Sequence, residues 1–477
     1  MKARSQGSLA VTAGPDLAQP WTPPGVDMRG RSRWHRSDWD NGHGPRSAGA
    51  DNGLLTSRAL CLVLLVFLCS WPTERLGAEP KTTDQVIQLY QSHAAKNPHD
   101  FLSYGKLGAA YIQKARETGD IRYYDLAEQA LKQSLELGPD PATAGTATAG
   151  MALVSLGRHQ FRDAAAQAEK ALGLGPTPAG YAIVGDAYVE MGEYDKASRA
   201  YSKMLAMPGP PFPSRLWYLR FLRGDTQRAI QDLQQALKAV AETDLPRENL
   251  AWSQVQLGEL FFHVGDVAKS EQAYRDALLS FRGYHLALAG LAKVQAAQTR
   301  YQEAIKLYEQ ALAVIPLPEY VVGLGDVYTK MGRAREAKKQ YELVQYIGTL
   351  NTIPHTRAIY NRELALFYAD HDLKLRETLE RAERELDLRW DIYSYDLLAW
   401  ALFKNGKAQD ARSAMTEALK LGTKDARLFF HAGMIYRALG DTGKAREHLQ
   451  RAVATNPHFH LLQVDVAQRT LKDLGQE

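Results

Sequence analysis

Residues 427–457, RLFFHAGMIYRALGDTGKAREHLQRAVATNP, recur in altered form along most of the chain, and this repetition limits the possible folds more than any other feature. Two helical stretches flank a turn at Gly440-Asp441, and Pro457 closes the segment. Small residues (Gly433, Ala445, Ala452) alternate with bulky Tyr436 and Leu449. Such a pattern lets two antiparallel helices approach closely, because a hole on one receives a side chain from the other. A helix pair this short cannot bury its apolar faces alone, so it must stack against copies of itself.

The copies are present. In chain order the positions equivalent to Gly433 are Gly108, Gly150, Gly185, Trp217, Gly258, Ala292, Gly325, Ala365 and Ala399, which number the units one to ten. Most steps are 32 to 35 residues, and three of 40 to 42 absorb insertions. The second helix keeps phase, as in Ala197/Tyr201/Met204, Ala304/Tyr308/Ala311, Ala337/Tyr341/Val344 and Ala411/Met415/Ala418. Glycines at 192, 265, 332, 406 and 440 mark the turn within a unit. In these positions residues 84 to 477 resemble the tetratricopeptide repeat family, and more narrowly its exported bacterial type. The resemblance implies an all-α, right-handed α-solenoid of about ten stacked helix-turn-helix units with capping helices. Unit four, with Trp217 in the small position, and unit eight, without the turn glycine, are expected to be the least regular.

Composition narrows the partners. The chain carries 58 basic and 54 acidic residues, but nine of the basic and six of the acidic fall in residues 1–78. The repeat region is left with 49 against 48, a balance that offers no bulk support for nucleic-acid binding. Both cysteines, Cys61 and Cys69, lie in one apolar run, so the repeats have no thiol for a disulfide or a metal. No HExxH, CxxC, GxSxG or GxxxxGK motif is present, and no catalytic residue, cofactor, metal or small-molecule substrate is expected. His458 and His460, read as helical, would point to different faces and share no metal. Asp186, Glu259 and Asp326 recur at one position in three units and read as solvated or locally paired carboxylates.

Several segments depart from the repeat pattern. Residues 142–150, ATAGTATAG, are poor helix formers where a helix should start. Residues 208–213, PGPPFP, cannot be helical and form a stiff link. Residues 119–125 read as an insertion in the first unit's turn, and the segment after Pro457 as a polar-faced capping helix.

The resemblance also suggests where a partner would bind. In the family the first helices line a concave groove that holds a protein or peptide partner. Carried over by phase, the positions three before and one after each reference residue offer one lysine (Lys293), one arginine (Arg362) and no asparagine, which disfavours a clamp for chaperone carboxylates. The same phase turns Tyr393, Asp396, Trp400, Phe403 and Phe430 toward the groove as partner-binding residues, with Trp400 as anchor. The opposing reading is that such aromatics are core between units. The function expected is a non-enzymatic interaction scaffold. The alternatives are a membrane-tethered assembly factor of an envelope complex and a non-catalytic subunit of an enzyme.

The N-terminal part sets the expected location. Residues 1–57 have no apolar periodicity and read either as disordered or as a product of a start codon placed too early. The thirteen residues ALCLVLLVFLCSW, 59–71, follow Arg58 and as a helix would reach roughly 20 Å, short of a bilayer core of roughly 30 Å. Residues 58–78 therefore read as a secretory signal with cleavage after Ala78, or else as an uncleaved anchor, and 79–477 as the solenoid. Either reading places the protein outside the cytoplasm or on the cell envelope, with membrane contact only through residues 59–71. Protein isolated from its native host should begin near Glu79 and be soluble, as N-terminal mass determination would show. Intact chains in the membrane fraction would make residues 59–71 an anchor.

Overall fold

The computed structural model describes residues 82–207, 216–242, 245–350 and 360–475. The expectations for residues 1–57, for the apolar run 59–71 and for the link 208–213 lie outside the described residues. Twenty-two helices and no strands occur among the described residues. Thr83–Lys96 caps the N-terminal end, ten helix pairs follow from Phe101–Thr118 and Arg122–Glu136 onward, and Gln463–Leu474 caps the other end. The chain is an all-α solenoid of the expected number of units.

Local sequence explains where the helices start. Asp140 accepts the Ala142 and Thr143 amides at 3.0 and 3.1 Å, and Pro141 opens the helix Pro141–Gly157, where a missing N–H costs nothing. The threonine- and glycine-rich tract is thus helical despite its poor propensity, since Ala147, Thr148, Ala149 and Gly150 are buried and packing overrides propensity. Residues 119–125 are a smaller interruption than expected. The first helix of unit one runs to Thr118, and only 119–121 separate it from Arg122. The two irregular units differ in kind. In unit four the first helix is described over Leu216–Leu222, with Trp217 buried. In unit eight the turn is made without glycine, by Asp372 and Lys374 in the left-handed region at φ 55° and 43°.

One interlock repeats along the stack. A Cβ on Gly185 would lie 2.3 Å from the Tyr201 ring, one on Gly258 2.9 Å from Tyr274, one on Gly325 2.5 Å from Tyr341, and one on Gly433 2.6 Å from Leu449. Each small residue on a first helix is the hole for a large one on the second. The tyrosines also carry a polar end. Tyr201, Tyr274 and Tyr341 donate their hydroxyls to Asp186, Glu259 and Asp326 at 2.6, 2.5 and 2.9 Å. The recurring carboxylate is locally paired: it receives the hydroxyl of the ring that fills the hole beside it.

The stack winds tightly enough for successive superhelical turns to touch. A Cβ on Gly192, in the turn of unit three, would lie 2.5 Å from the Trp390 carbonyl, in the link after unit eight. Gly224 of unit four meets the Gly422 carbonyl at 2.5 Å, and Gly265 of unit five meets Pro457 at 3.3 Å. Backbone groups join across the same seam. Trp390 N–H donates to Met191 O at 3.0 Å, Asn456 Nδ2 donates to Phe262 O at 2.7 Å, and the Thr423 hydroxyl donates to Leu222 O. These acceptors sit at helix C-termini, where carbonyls have no partner within the helix. The following superhelical turn supplies one.

Gly192 and Gly406 both hold φ near 75°, at 78° and 75°, but nothing lies within 4 Å of a Cβ on Gly406. Gly406→Ala should therefore cost only the left-handed backbone term, about 1–2 kcal/mol. Gly192→Ala should cost about 1–3 kcal/mol more, because its Cβ also overpacks the seam. Denaturant unfolding of the two variants side by side checks the difference, and equal losses would mean the turns are not in contact in solution.

Candidate binding site on the inner face

Except at unit four, first helices of successive units pack on one another and form the inner layer of the superhelix. Their side chains also meet across it. Gln113 Nε2 donates to Glu248 Oε2 at 3.1 Å, Arg116 pairs with the same carboxylate at 3.1 Å, and Lys330 reaches Asp465 at 2.5 Å. The inner face is bridged at several levels.

A polar cluster occupies its C-terminal end. Asp326 of unit seven receives the Tyr341 hydroxyl and, at 2.9 Å, the His371 Nε2. The other ring nitrogen of His371 faces the Phe367 carbonyl at 2.9 Å, so both nitrogens must carry protons. Burial opposes charge on this imidazole, but the hydrogen bond and charge of Asp326 raise its pKa above the ordinary value. Asp370 Oδ1 receives Trp400 Nε1 at 2.8 Å and Gln463 Nε2 at 2.6 Å. Burial would push the Asp370 carboxyl up, but His460, His431 and Arg427 hold it below the usual carboxylate range. His460 lies between the two acids, with Nε2 3.9 Å from Asp326 Oδ2 and 3.9 Å from Asp370 Oδ2. Burial lowers its pKa more than these carboxylates raise it. Its Nδ1 accepts the Leu462 and Gln463 amides at 3.2 and 3.3 Å, which leaves the proton of the neutral ring on Nε2.

Units nine and ten complete the cluster. His431 Nδ1 bonds Asp396 Oδ1 at 2.8 Å, and its ring stacks on Trp400 at a centroid distance of 4.1 Å. Asp425 caps the helix Ala426–Ala438, receives the Tyr393 hydroxyl at 3.1 Å, and lies 3.7 Å from His263 of unit five. Arg427 is partly exposed and makes no ion pair within 4.0 Å among the described residues. Burial works against its charge, yet Asp425, Asp396 and Asp370 raise its pKa. Among the described residues no group of three or more His, Cys, Asp or Glu side chains is placed to hold a metal ion.

The residues singled out from sequence gather here, but not as an exposed strip. Trp400 is 3% exposed, Phe430 2% and Asp396 2%, while Tyr393 and Phe403 are half-buried. Trp400 is therefore packed between units, against Phe403 at 5.0 Å and Phe430 at 5.8 Å, and Asp396 faces His431 rather than an open groove. The expectation of Trp400 as a surface anchor is corrected: Phe403 of its own helix and Phe430 and His431 of the next unit cover the indole. His458 and His460 are not helical either, since both lie in the turn before Gln463–Leu474. The repeat phase does not mark the histidines, because His263, His371 and His431 stand at different offsets from Gly258, Ala365 and Gly433.

A second concavity of about 270 Å³ lies at the seam, between Arg162, Tyr188, Met191 and Trp390. The Trp390 indole there is 46% exposed.

Comparison with known proteins places three stretches among tetratricopeptide repeats: residues 287–319, 318–347 and 397–458 match models of that repeat. The Protein CTR9 homolog of Arabidopsis thaliana is 24% identical over 214 residues, 42% of this chain and 19% of that protein, so the match spans about a fifth of the relative's length. Yeast Tom70 is 13% identical over 82% of this chain and 92% of its own, with a TM-score of 0.36. The Cut9-Hcn1 structure of the APC/C is also 13% identical, covering 82% and 93%, with a TM-score of 0.32.

Removing the Trp400 side chain should act on stability first. Trp400→Ala deletes a buried indole and leaves Asp370 short of one donor, and should cost about 3–5 kcal/mol. Thermal melting checks this, and a variant that melts like the parent would mean the indole is not packed in solution.

Proposed function

The chain belongs to the tetratricopeptide repeat family, and on that premise we propose that it is a non-enzymatic scaffold holding a segment of a partner protein at the C-terminal end of its inner face. The observation that carries the reading is the cluster of Asp326, Asp370, His371, Arg427, His431 and His460. Repeat stacking needs only apolar interlock and local pairs, and buried ionisable groups are costly unless paired. Groups perturbed by burial and by specific charge partners mark candidate sites on this ground. The cluster meets solvent at its edge, where the His460 side chain is 18% exposed, and Asp465, paired with Lys330 outside it, is 44% exposed.

The scaffold works outside the cytoplasm on this reading, which rests on the apolar run 59–71. The same run favours a second reading, an envelope assembly factor that stays tethered because the run is not removed.

The test is photo-crosslinking in the native host. A photoreactive amino acid at Asp465 should capture one partner, whereas the same group at Trp390, in the seam concavity, should not. Capture through Trp390 and not through Asp465 would move the binding face to the seam and overturn the inner-face reading.

A further inference from the structure

The inner-face cluster has more hydrogen-bond acceptors than donors, and the roles of its side chains can be assigned one by one. Gln463 must turn its nitrogen to Asp370 Oδ1, which it reaches at 2.6 Å, so the amide oxygen points elsewhere. That oxygen is buried and has no partner among the described residues, in a side chain that is 6% exposed. His431 keeps its proton on Nδ1 toward Asp396, and its fully buried Nε2 likewise has no partner among the described residues. Asp326 and Asp370 each spend Oδ1 on two donors. For Oδ2 of each, the nearest donor among the charged groups is His460 Nε2 at 3.9 Å, beyond hydrogen-bond reach.

The charges point the same way. Four carboxylates face the cluster: Asp326, Asp370, Asp396 and Asp425. Against these four acids stand the Arg427 guanidinium and His371, whose ring is held by Asp326 and the Phe367 carbonyl, so the acidic groups outnumber the fixed basic ones. The nearby lysines are already committed, Lys330 to Asp465 and Lys293 to Glu259. A group entering here should bring positive charge and several donors in a small volume.

We propose that the cluster receives a primary ammonium group of the partner segment, carried by a lysine side chain or by a free N-terminus. This rests on the inner-face reading above. A guanidinium binds best as a planar fork on both oxygens of one carboxylate, and here neither Asp326 nor Asp370 has both oxygens free. An ammonium is compact and offers three donors that rotate to fit. Asp326 Oδ2 and Asp370 Oδ2, on either side of His460, and the unpartnered Gln463 Oε1 beside Asp370 are the acceptors offered, and the His460 ring must swing from between the two acids for the group to enter.

The test uses an array of random pentapeptides and the purified full-length protein. One set has acetylated N-termini and lysine, acetyl-lysine or arginine at the centre. A second set has norleucine at the centre and either a free or an acetylated N-terminus. Retention of the lysine set at least tenfold above acetyl-lysine and arginine identifies the side chain as the source. Retention of the free-terminus set at least tenfold above its acetylated match identifies the chain end. Asp370→Asn should remove at least tenfold of that binding with little change in melting. Gln463→Met, which removes the Oε1 acceptor together with the Nε2 donor to Asp370 and leaves the charge unchanged, takes its place should Asp370→Asn fail to fold. Equal retention of acetylated peptides, equal retention of arginine, or no retention overturns the ammonium. If acetylated peptides bind and Asp370→Asn still abolishes binding, the inner-face reading stands without it. If lysine matters but neither variant does, both fall.

Discussion

The rest of the structure depends on backbone carbonyls that are satisfied one superhelical turn away. Helix C-termini expose acceptors that the helix itself cannot pair, and a buried acceptor left alone costs about 1–3 kcal/mol. Met191 and Leu222 present such carbonyls, and Trp390 and Thr423 supply the donors, while Phe262 O, which already accepts the Gly265 amide at 2.9 Å, takes Asn456 Nδ2 as a second donor. The donors arrive only if the stack closes on itself at this pitch. Ion pairs reinforce the closure. Arg389 is 5% exposed and bonds Glu385 of its own turn at 2.6 Å and Glu190 of the preceding one at 3.1 Å. Asp391 lies 3.7 Å from the same guanidinium, so removing Glu190 would leave a buried charge held only from its own turn, and such groups are more costly to break than they are stabilising to form.

Closure changes what the inner face is. An open solenoid contacts only its nearest neighbours and offers a wide concave surface. Here a disturbance at Gly192 reaches Trp390 directly, so the units are not independent along the chain. The enclosed interior is also a poorer solvent for charge, which is why burial lowers the imidazole pKa of His263 and His460 despite the acids beside them. Trp400 is ordered by neighbouring units instead. Its indole is stacked between Phe403 and His431, and its N–H is held by Asp370, so it orders the site from within.

Much of this architecture can be read from residue pattern, and the reason is local. A glycine at 185, 258 or 325 and a tyrosine sixteen residues later belong to one helix pair, so their contact follows from helical geometry alone. The acid next to the glycine is part of the same local set. The seam is not legible in this way, because the pitch depends on small rotations between units that accumulate over five of them. Nor is the cluster. His263, His371 and His431 share no repeat phase, and His460 sits in a turn, so nothing in the sequence marks them as one group until the superhelix brings units five, seven, eight and ten together.

The seam and the site are parts of one arrangement. Units three to five are fixed against the links that follow units eight to ten, and those later units carry Asp370, His371, Asp396, Arg427 and His431. His263, at the end of a unit-five helix, touches Asp425 across the turn and so ties the cluster to the helix whose last carbonyls the seam caps. Site residues other than His460 stand on helices or beside helix ends, positions that loops cannot hold as rigidly. Asp370 is therefore carried by a unit that the seam holds, and Asp326 is tied to it from unit seven through His371. A partner group that enters between them meets acceptors already ordered, and most of the cost of arranging them falls on folding rather than on binding.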